Sequence, residues 1–469
     1  MPNKTRTGKG DSNLAAVNAY LKKNEARFVR ELSEYLEIPS VSAQREHRPD
    51  IRRCAAWIAK HCRSIGLATK IYETPGNPIV VARTPPVKGK GRLHYLVYGH
   101  YDVQPTDPLG LWVSAPFKPA IRGGRIYARG SSDNKGQHLA HLNAVEAYLK
   151  TGTELPCDLT FVLEGEEEVG SASLTEFLLK NRKKFRCDGV VVSDGSMPSL
   201  AKPALTYGLR GNVAVEVIVR GPSRDLHSGS FGGAVDNPAT VLCRMIAALH
   251  DRDGRIAVPG FYRGVVPLSK AERRRLAQDP WTPKALAKFV GVPQLKGEKG
   301  YTPEEQRTSR PTLEVNGLTS GYQGEGGKTI VPAWARAKLT CRLVPDQDPS
   351  RIAGLVKAHL KRICPPTVRV EFSKGHHGGP AYLIPVTEPS AKAALRALEK
   401  AYCHPASMVR EGGSIPIVSL FKSALGAETL LLGLGLPSDN THSPNEAMSL
   451  AGYRLGARLG AFLWPELAR

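Results

Sequence analysis

Residues 93–105 read LHYLVYGHYDVQP. Leu93 to Tyr98 is a short, mostly apolar run, the pattern of a buried strand. It ends at Gly99, and His100 and Asp102 follow at once, so metal-binding and acidic side chains fall at a strand's carboxyl end, where open α/β sheets place their ligands. The same order recurs twice. Leu159 to Leu163 is followed by EGEEEVGS (164–171), and Gly189 to Val192 by Ser193 and Asp194. The helical stretch Gly136 to Tyr148 lies between two of these runs, and Pro78 to Arg83 supplies another. Strands alternating with helices predict an α/β domain with a mostly parallel central sheet flanked by helices.

Upstream, Leu14, Val17 and Leu21, then Phe28, Leu32 and Leu36, recur at helical spacing, with residues 1–12 as a basic tail and Asp11 or Ser12 as the cap. After Tyr207 the texture changes. A strand at Asn212 to Val219 alternates apolar and polar residues, and a helix follows at Pro238 to Leu249. Beyond the Pro-, Arg- and Lys-rich stretch 251–310 come strands at Thr312 to Leu318 and Ala335 to Leu343. A helix at Ser350 to Arg362 and a strand at Val368 to Phe372 complete the set. This β-α-β-β-α-β order predicts a smaller α+β, ferredoxin-like domain over 208–382. From Leu383 the first pattern returns, with a helix at Glu388 to Ala401, a strand at Thr429 to Leu432 and a helix at Ala447 to Leu463. The small domain is therefore expected as an insertion into a discontinuous larger one, 13–207 and 383–469.

Hydrophobic residues make up 41% and charged residues 23% of the 469, which excludes a mainly disordered or fibrous chain. The net charge of +22 raises the question of nucleic acid. The basic stretch 251–310 lacks a Lys/Arg block with interleaved aromatics, so no nucleic-acid partner is expected. No apolar run approaches the ~18 residues of a membrane span. The opening MPNKTRTGKG lacks the apolar core of a secretory signal. The eight cysteines are scattered without a CxxC pair and read as reduced thiols, so a cytoplasmic location is expected.

Two more segments carry chemistry: GSSDNKG (130–136), where small residues let the chain turn and aim Asp133 inward, and NTHSPNE (440–446), which sets His442 before the last helix. Taken singly, each candidate has an ordinary reading as a structural His, a turn-forming Asp or a solvated acidic loop. Taken together they supply two histidines, several carboxylates and no cysteine. That donor set suits two divalent cations held by oxygen and nitrogen rather than a Cys-type zinc site.

The order and wording of GHYDVQP (99–105), GSSDNKG, EGEEEVGS, SDG (193–195), DLHSGSFGG (225–233), RLVPDQDP (342–349), REGGSIP (410–416) and THSPNE (441–446) resemble the co-catalytic zinc metallopeptidases. That family includes carnosinase, cytosolic nonspecific dipeptidase, acetylornithine deacetylase and aminoacylase. DVQP, GKTIVP (327–332) and REGGSIP are most similar to the dipeptidase branch. The resemblance implies that His100 and Asp194 hold one metal, Glu168 and His442 the other, and that Asp133 bridges both, followed by a cis peptide to Asn134. It makes Asp102 the partner of His100 and Glu167 the general base, with Glu166 the alternative in the triple-Glu run. It implies that His227 reaches a substrate carbonyl across a homodimer interface, and that the inserted domain serves as lid and dimerisation surface. Arg342 would bind a substrate's C-terminal carboxylate beside Gly412, Gly413 and Ser414. Thr329, and His377 of the His376-His377 pair, are further substrate-binding candidates. The function implied is hydrolysis of dipeptides or short peptides with a free C-terminal carboxylate, with two divalent ions per subunit, zinc ahead of manganese. An N-acyl-amino-acid amidohydrolase would use the same metals with a different pocket. A non-enzymatic metal or nucleic-acid binding protein is the remote alternative.

Overall fold

The computed structural model describes residues 7–87, 91–277, 282–373 and 378–469. The chain divides into two compact units. The first comprises 1–207, 384–409 and 420–469, and the second 208–383 with 410–419.

The first unit is built on a sheet whose strands run in the order Ala68–Tyr72, Ile79–Arg83, Asp158–Glu164, His94–His100, Gly189–Val192, Thr429–Leu431 and Ala204–Leu209. The four middle strands, from Asp158–Glu164 to Thr429–Leu431, are mutually parallel. The strands outside them pair antiparallel. The parallel strands are buried along nearly their whole length, which is why their sequences are mostly apolar. Helix Lys135–Thr151 is buried from Lys135 to Tyr148 and ends at Gly152, whose φ of 67° closes it in the left-handed region. It packs against strand His94–His100 and helix Leu450–Leu467. Lys135, buried at its start, donates from Nζ to the carbonyls of Ile38 (2.8 Å) and Tyr35 (3.2 Å). The parallel strands point the same way, so residues 100, 164–168 and 194 emerge along one edge of the sheet.

The second unit holds an antiparallel sheet in the order Thr312–Ser320, Trp334–Leu343, Gly211–Arg220, Arg369–Phe372. Helices Pro238–Ala247 and Pro349–Ile363 complete the β-α-β-β-α-β succession in its ferredoxin-like order. Val213, Val215, Val217 and Val219 alternate into its core with Leu339, Leu242 and Val356. The stretch 251–310, for which the sequence suggested no elements, contains helices Lys270–Leu276, Pro283–Val290 and Pro303–Ser309. Two of these open on capping boxes, Ser269 with Glu272 and Thr302 with Glu305.

Three expectations need correction. Helix Thr7–Lys23 takes in residues expected to be tail; its early residues carry no apolar periodicity, which begins only at Leu14. Residues 410–419 belong to the second unit, not to 383–469 as one block. Hydrogen bonds from Arg210 Nε to Gly412 O (3.0 Å) and from Ser414 Oγ to Arg210 O (2.5 Å) hold them there, and no local pattern announces such contacts. Ala447–Ser449 is a strand paired with Arg125–Tyr127, so the last helix begins at Leu450.

Candidate active site

Five side chains from five separate strand ends and loops meet at the edge of the first unit's sheet. In one cluster are His100, Asp133 and Asp194, and in the other Asp133, Glu168 and His442, with their ligand atoms within 4.8 Å of one another. Nε2 of His100 lies 3.1 Å from Oδ1 of Asp133 and 3.6 Å from Oδ1 of Asp194. Nε2 of His442 lies 2.8 Å from the other oxygen of Asp133 and 3.4 Å from Glu168. Asp133 therefore turns one oxygen to each cluster. The peptide from Asp133 to Asn134 is cis.

The loops are aimed by buried polar groups. The carboxylate of Glu446 accepts the N–H groups of Gly130, Ser132 and Asp133, each at 3.0 Å, and is paired with buried Arg129 at 2.8 Å. Asn134 donates from Nδ2 to the Ser193 carbonyl (2.5 Å) and to Asp194 (3.1 Å), tying the second carboxylate to the bridging loop. Asp102 stands behind His100, with its backbone carbonyl 3.1 Å and its carboxylate Oδ1 3.5 Å from Nδ1. Its carboxylate also accepts the N–H of Glu167 (3.2 Å) and of Glu168 (3.1 Å). One aspartate thus orients a histidine and the short 3-10 turn Glu167–Val169 together. His442, Asn440 and Asn445 all have positive φ, a conformation that histidine and asparagine tolerate better than most residues.

The three consecutive glutamates part company. Glu166 accepts the N–H of Asn77 (2.7 Å) and of Ser173 (2.9 Å), which commits it to the neighbouring loop. Glu168 joins the second cluster. Burial and the nearby carboxylates raise the Glu167 carboxyl well above its ordinary range, against the opposing pull of His100. Glu164, buried on the strand beneath, accepts from Tyr98 and Ser171 (both 2.8 Å), and burial pushes it up to about 8.

Burial alone would lower the pKa of His100, but Asp194, Asp102 and Asp133 outweigh it and raise it well above the usual imidazole value. Hydrogen bonds donated to the carboxylates of Asp133 and Glu168 lift His442 to about 10. Among the described residues, Nε2 of His100 and Oε1 of Glu168 are buried without a hydrogen-bond partner. Orphaned donor atoms of this kind, in a set of imidazoles and carboxylates, fit a pair of divalent cations.

The second unit carries the other candidates. Arg342, near the end of strand Trp334–Leu343, donates from Nη1 to Ser414 Oγ at 2.8 Å. Gly412 and Gly413 adjoin that serine. His227 and Thr329 come together on an exposed tip: Leu226–His227 pairs with Ile330–Val331, and Ser228 N donates to Thr329 O at 3.0 Å. His377 lies outside the described residues. Glu446, Asn134 and Arg210 had no assigned role in the sequence. Glu446 and Asn134 stood inside the quoted motifs, but only contacts across the fold distinguish them.

A shared carboxylate between two His/carboxylate clusters at a parallel sheet's carboxyl edge defines a candidate dinuclear metal hydrolase. Comparison with known proteins gives the family. The pattern of Peptidase family M20/M25/M40 matches residues 96–464, and the chain belongs to that family. It is 32% identical over 458 residues to the Cys-Gly metallodipeptidase of Candida albicans, covering 93% of this chain and 94% of that one. It is 31% identical over 483 residues to the human Beta-Ala-His dipeptidase, covering 97% and 93%. The crystal structure of human carnosine dipeptidase 1 superposes with a TM-score of 0.85 at 29% identity, covering 97% of this chain and 98% of that one.

Proposed function

We propose that the chain is a metallodipeptidase, hydrolysing the amide bond of dipeptides or short peptides that end in a free carboxylate. The observation that carries the reading is the pair of three-ligand clusters sharing Asp133, in a chain belonging to a peptidase family. The names of the Candida and human relatives support the dipeptide class.

Residues His100, Asp133 and Asp194 would hold one divalent ion, and Asp133, Glu168 and His442 the other. The donor set suits zinc first and manganese second. Bound there, the ions supply Lewis acidity that polarises a carbonyl and lowers the pKa of water. Glu167 then serves as general base. Its position, next to the ligand Glu168 and held by the Asp102 carboxylate, suits a group that takes a proton from water and returns it to the leaving amine. Asp102 holds Glu167 and His100 in register. His227, exposed with its Nδ1 occupied by Gly229 N–H at 3.0 Å, is the proposed donor to the substrate carbonyl oxygen, with Thr329 beside it.

Arg342 is the proposed carboxylate clamp, since a guanidinium grips a carboxylate through two parallel hydrogen bonds. Gly412, Gly413 and Ser414 line its side, and this contact would restrict cleavage to substrates ending near the scissile bond. The second unit is the proposed lid and dimerisation surface. Its strand Thr312–Ser320 lies at the sheet edge and exposes Val315 and Leu318, which suits pairing with a second copy. A cytoplasmic setting is proposed from the eight cysteines, all of them free. Among the described residues no helix is long and apolar enough to cross a membrane.

The test is hydrolysis of free dipeptides, their C-terminal amides and N-acetyl amino acids, each before and after chelation and metal return. Faster turnover of free dipeptides, abolished by chelator and restored by metal, is the expected result. Preference for N-acetyl amino acids would overturn the substrate reading. Full activity of a monomer would remove the role of His227 across an interface.

A further inference from the structure

The carboxylate clamp proposed at Arg342 is itself held by another arginine. Arg210 sits in the second unit between strand Ala204–Leu209 and strand Gly211–Arg220. Among the described residues its guanidinium donates to three carbonyls: Gly412 (3.0 Å), Arg310 (3.2 Å) and Gln306 (3.5 Å). Its own carbonyl accepts the hydroxyl of Ser414 at 2.5 Å, and that hydroxyl oxygen accepts Arg342 Nη1 at 2.8 Å. One residue therefore grips the 412–414 loop at both ends, and the loop in turn holds Arg342.

Two further observations point the same way. Among the described residues, neither Arg210 nor Arg342 has a carboxylate within ion-pair distance. A half-buried guanidinium ordinarily finds one, since an uncompensated buried charge is costly. Burial and the charge of Arg342 push Arg210 down to about 10, against the opposing pull of Glu314. The two guanidiniums repel each other, and an incoming carboxylate would relieve that repulsion. The close fit is also visible at Gly412, where a Cβ would stand 2.2 Å from the Arg307 carbonyl and 3.0 Å from Arg210 Nη2.

We propose that Arg210 is a positioning residue for substrate-carboxylate recognition. It pins the Gly412–Ser414 loop so that Ser414 fixes the Arg342 guanidinium, and it contributes the second positive charge of the pocket. The inference rests on the dipeptidase reading above.

The experiment compares kcat/KM for alanylalanine and its C-terminal amide in the wild type, Arg342→Ala, Arg210→Met and Arg210→Lys, with metal content and thermal melting recorded for each. The wild type is expected to favour the free acid. Arg210→Met should shrink the acid-over-amide ratio roughly tenfold, with the loss carried by KM rather than kcat. Arg210→Lys, which can still donate to one carbonyl, should recover part of that ratio even if the Met variant folds poorly. Equal loss on both substrates in the Met and Lys variants would reduce Arg210 to a packing role and overturn the proposal. So would an unchanged ratio in both, while Arg342→Ala still collapses it. No acid preference in the wild type would sink the clamp itself, a separate failure.

Discussion

Oε1 of Glu446 accepts the backbone N–H of Asp133 at 3.0 Å, and the same oxygen takes the N–H of Ser132. A buried carboxylate on the last loop thereby fixes the backbone of the aspartate shared by both clusters, more than three hundred residues away in sequence. Its other oxygen is paired with Arg129. Glu446→Ala removes one member of a buried ion pair and orphans three amide donors. Urea unfolding should show a loss of about 3–5 kcal/mol, and calorimetry a weaker uptake of divalent metal. A variant of unchanged stability and metal affinity would contradict this.

Metal uptake should expel protons. His442, lifted to about 10, and His100, raised well above the imidazole range, both hold protons at neutral pH in the metal-free centre. Coordination needs the bare nitrogen. A raised pKa means that the proton competes across the whole range below it, so metal affinity should fall as pH drops, by about tenfold per pH unit for each proton displaced. Titrating zinc into chelator-stripped protein in two buffers of different ionisation enthalpy should give different heats. Heats that do not depend on the buffer would rule out proton release.

Glu167→Gln removes the proposed base while keeping its size. Turnover of a dipeptide should fall by roughly 10²- to 10⁴-fold, with metal content unchanged by elemental analysis. Near-normal turnover would transfer the role elsewhere. Glu166 is a poor substitute, because both its oxygens are engaged by Asn77 and Ser173 N–H groups.

The Asp102 carboxylate lies 3.5 Å from His100 Nδ1 and accepts the N–H groups of Glu167 and Glu168. Asp102→Ala should therefore lower metal affinity and kcat together, by roughly 10- to 100-fold. If metal affinity drops while kcat of the metal-saturated protein stays normal, the carboxylate serves His100 alone and not the base.

Much of the fold was legible because buried parallel strands advertise themselves as mostly apolar runs. Leu159 to Leu163 and Gly189 to Val192 fall within the strands found at 158–164 and 189–192, and Leu93 to Tyr98 overlaps the strand at 94–100 from His94 on. Strand Ala68–Tyr72 was missed for the same physical reason in reverse, since it lies at the sheet's margin and is nowhere fully buried. The polar residues behind those runs pointed to the site because strand direction fixes which edge they leave from.

The sequence by itself determined the alternation of strands and helices, the inventory of nitrogen and oxygen ligands, and the succession of elements in the second unit. These follow from side-chain periodicity and residue chemistry, which are local properties. Only the tertiary structure decided that Asp133 faces both histidines, that Glu166 turns away while Glu168 turns in, and that Glu446 and Asn134 fix the loops. It also assigned residues 410–419 to the second unit. Each of these depends on hydrogen bonds between residues far apart in the chain, and no local pattern encodes which distant backbone amide a carboxylate will find.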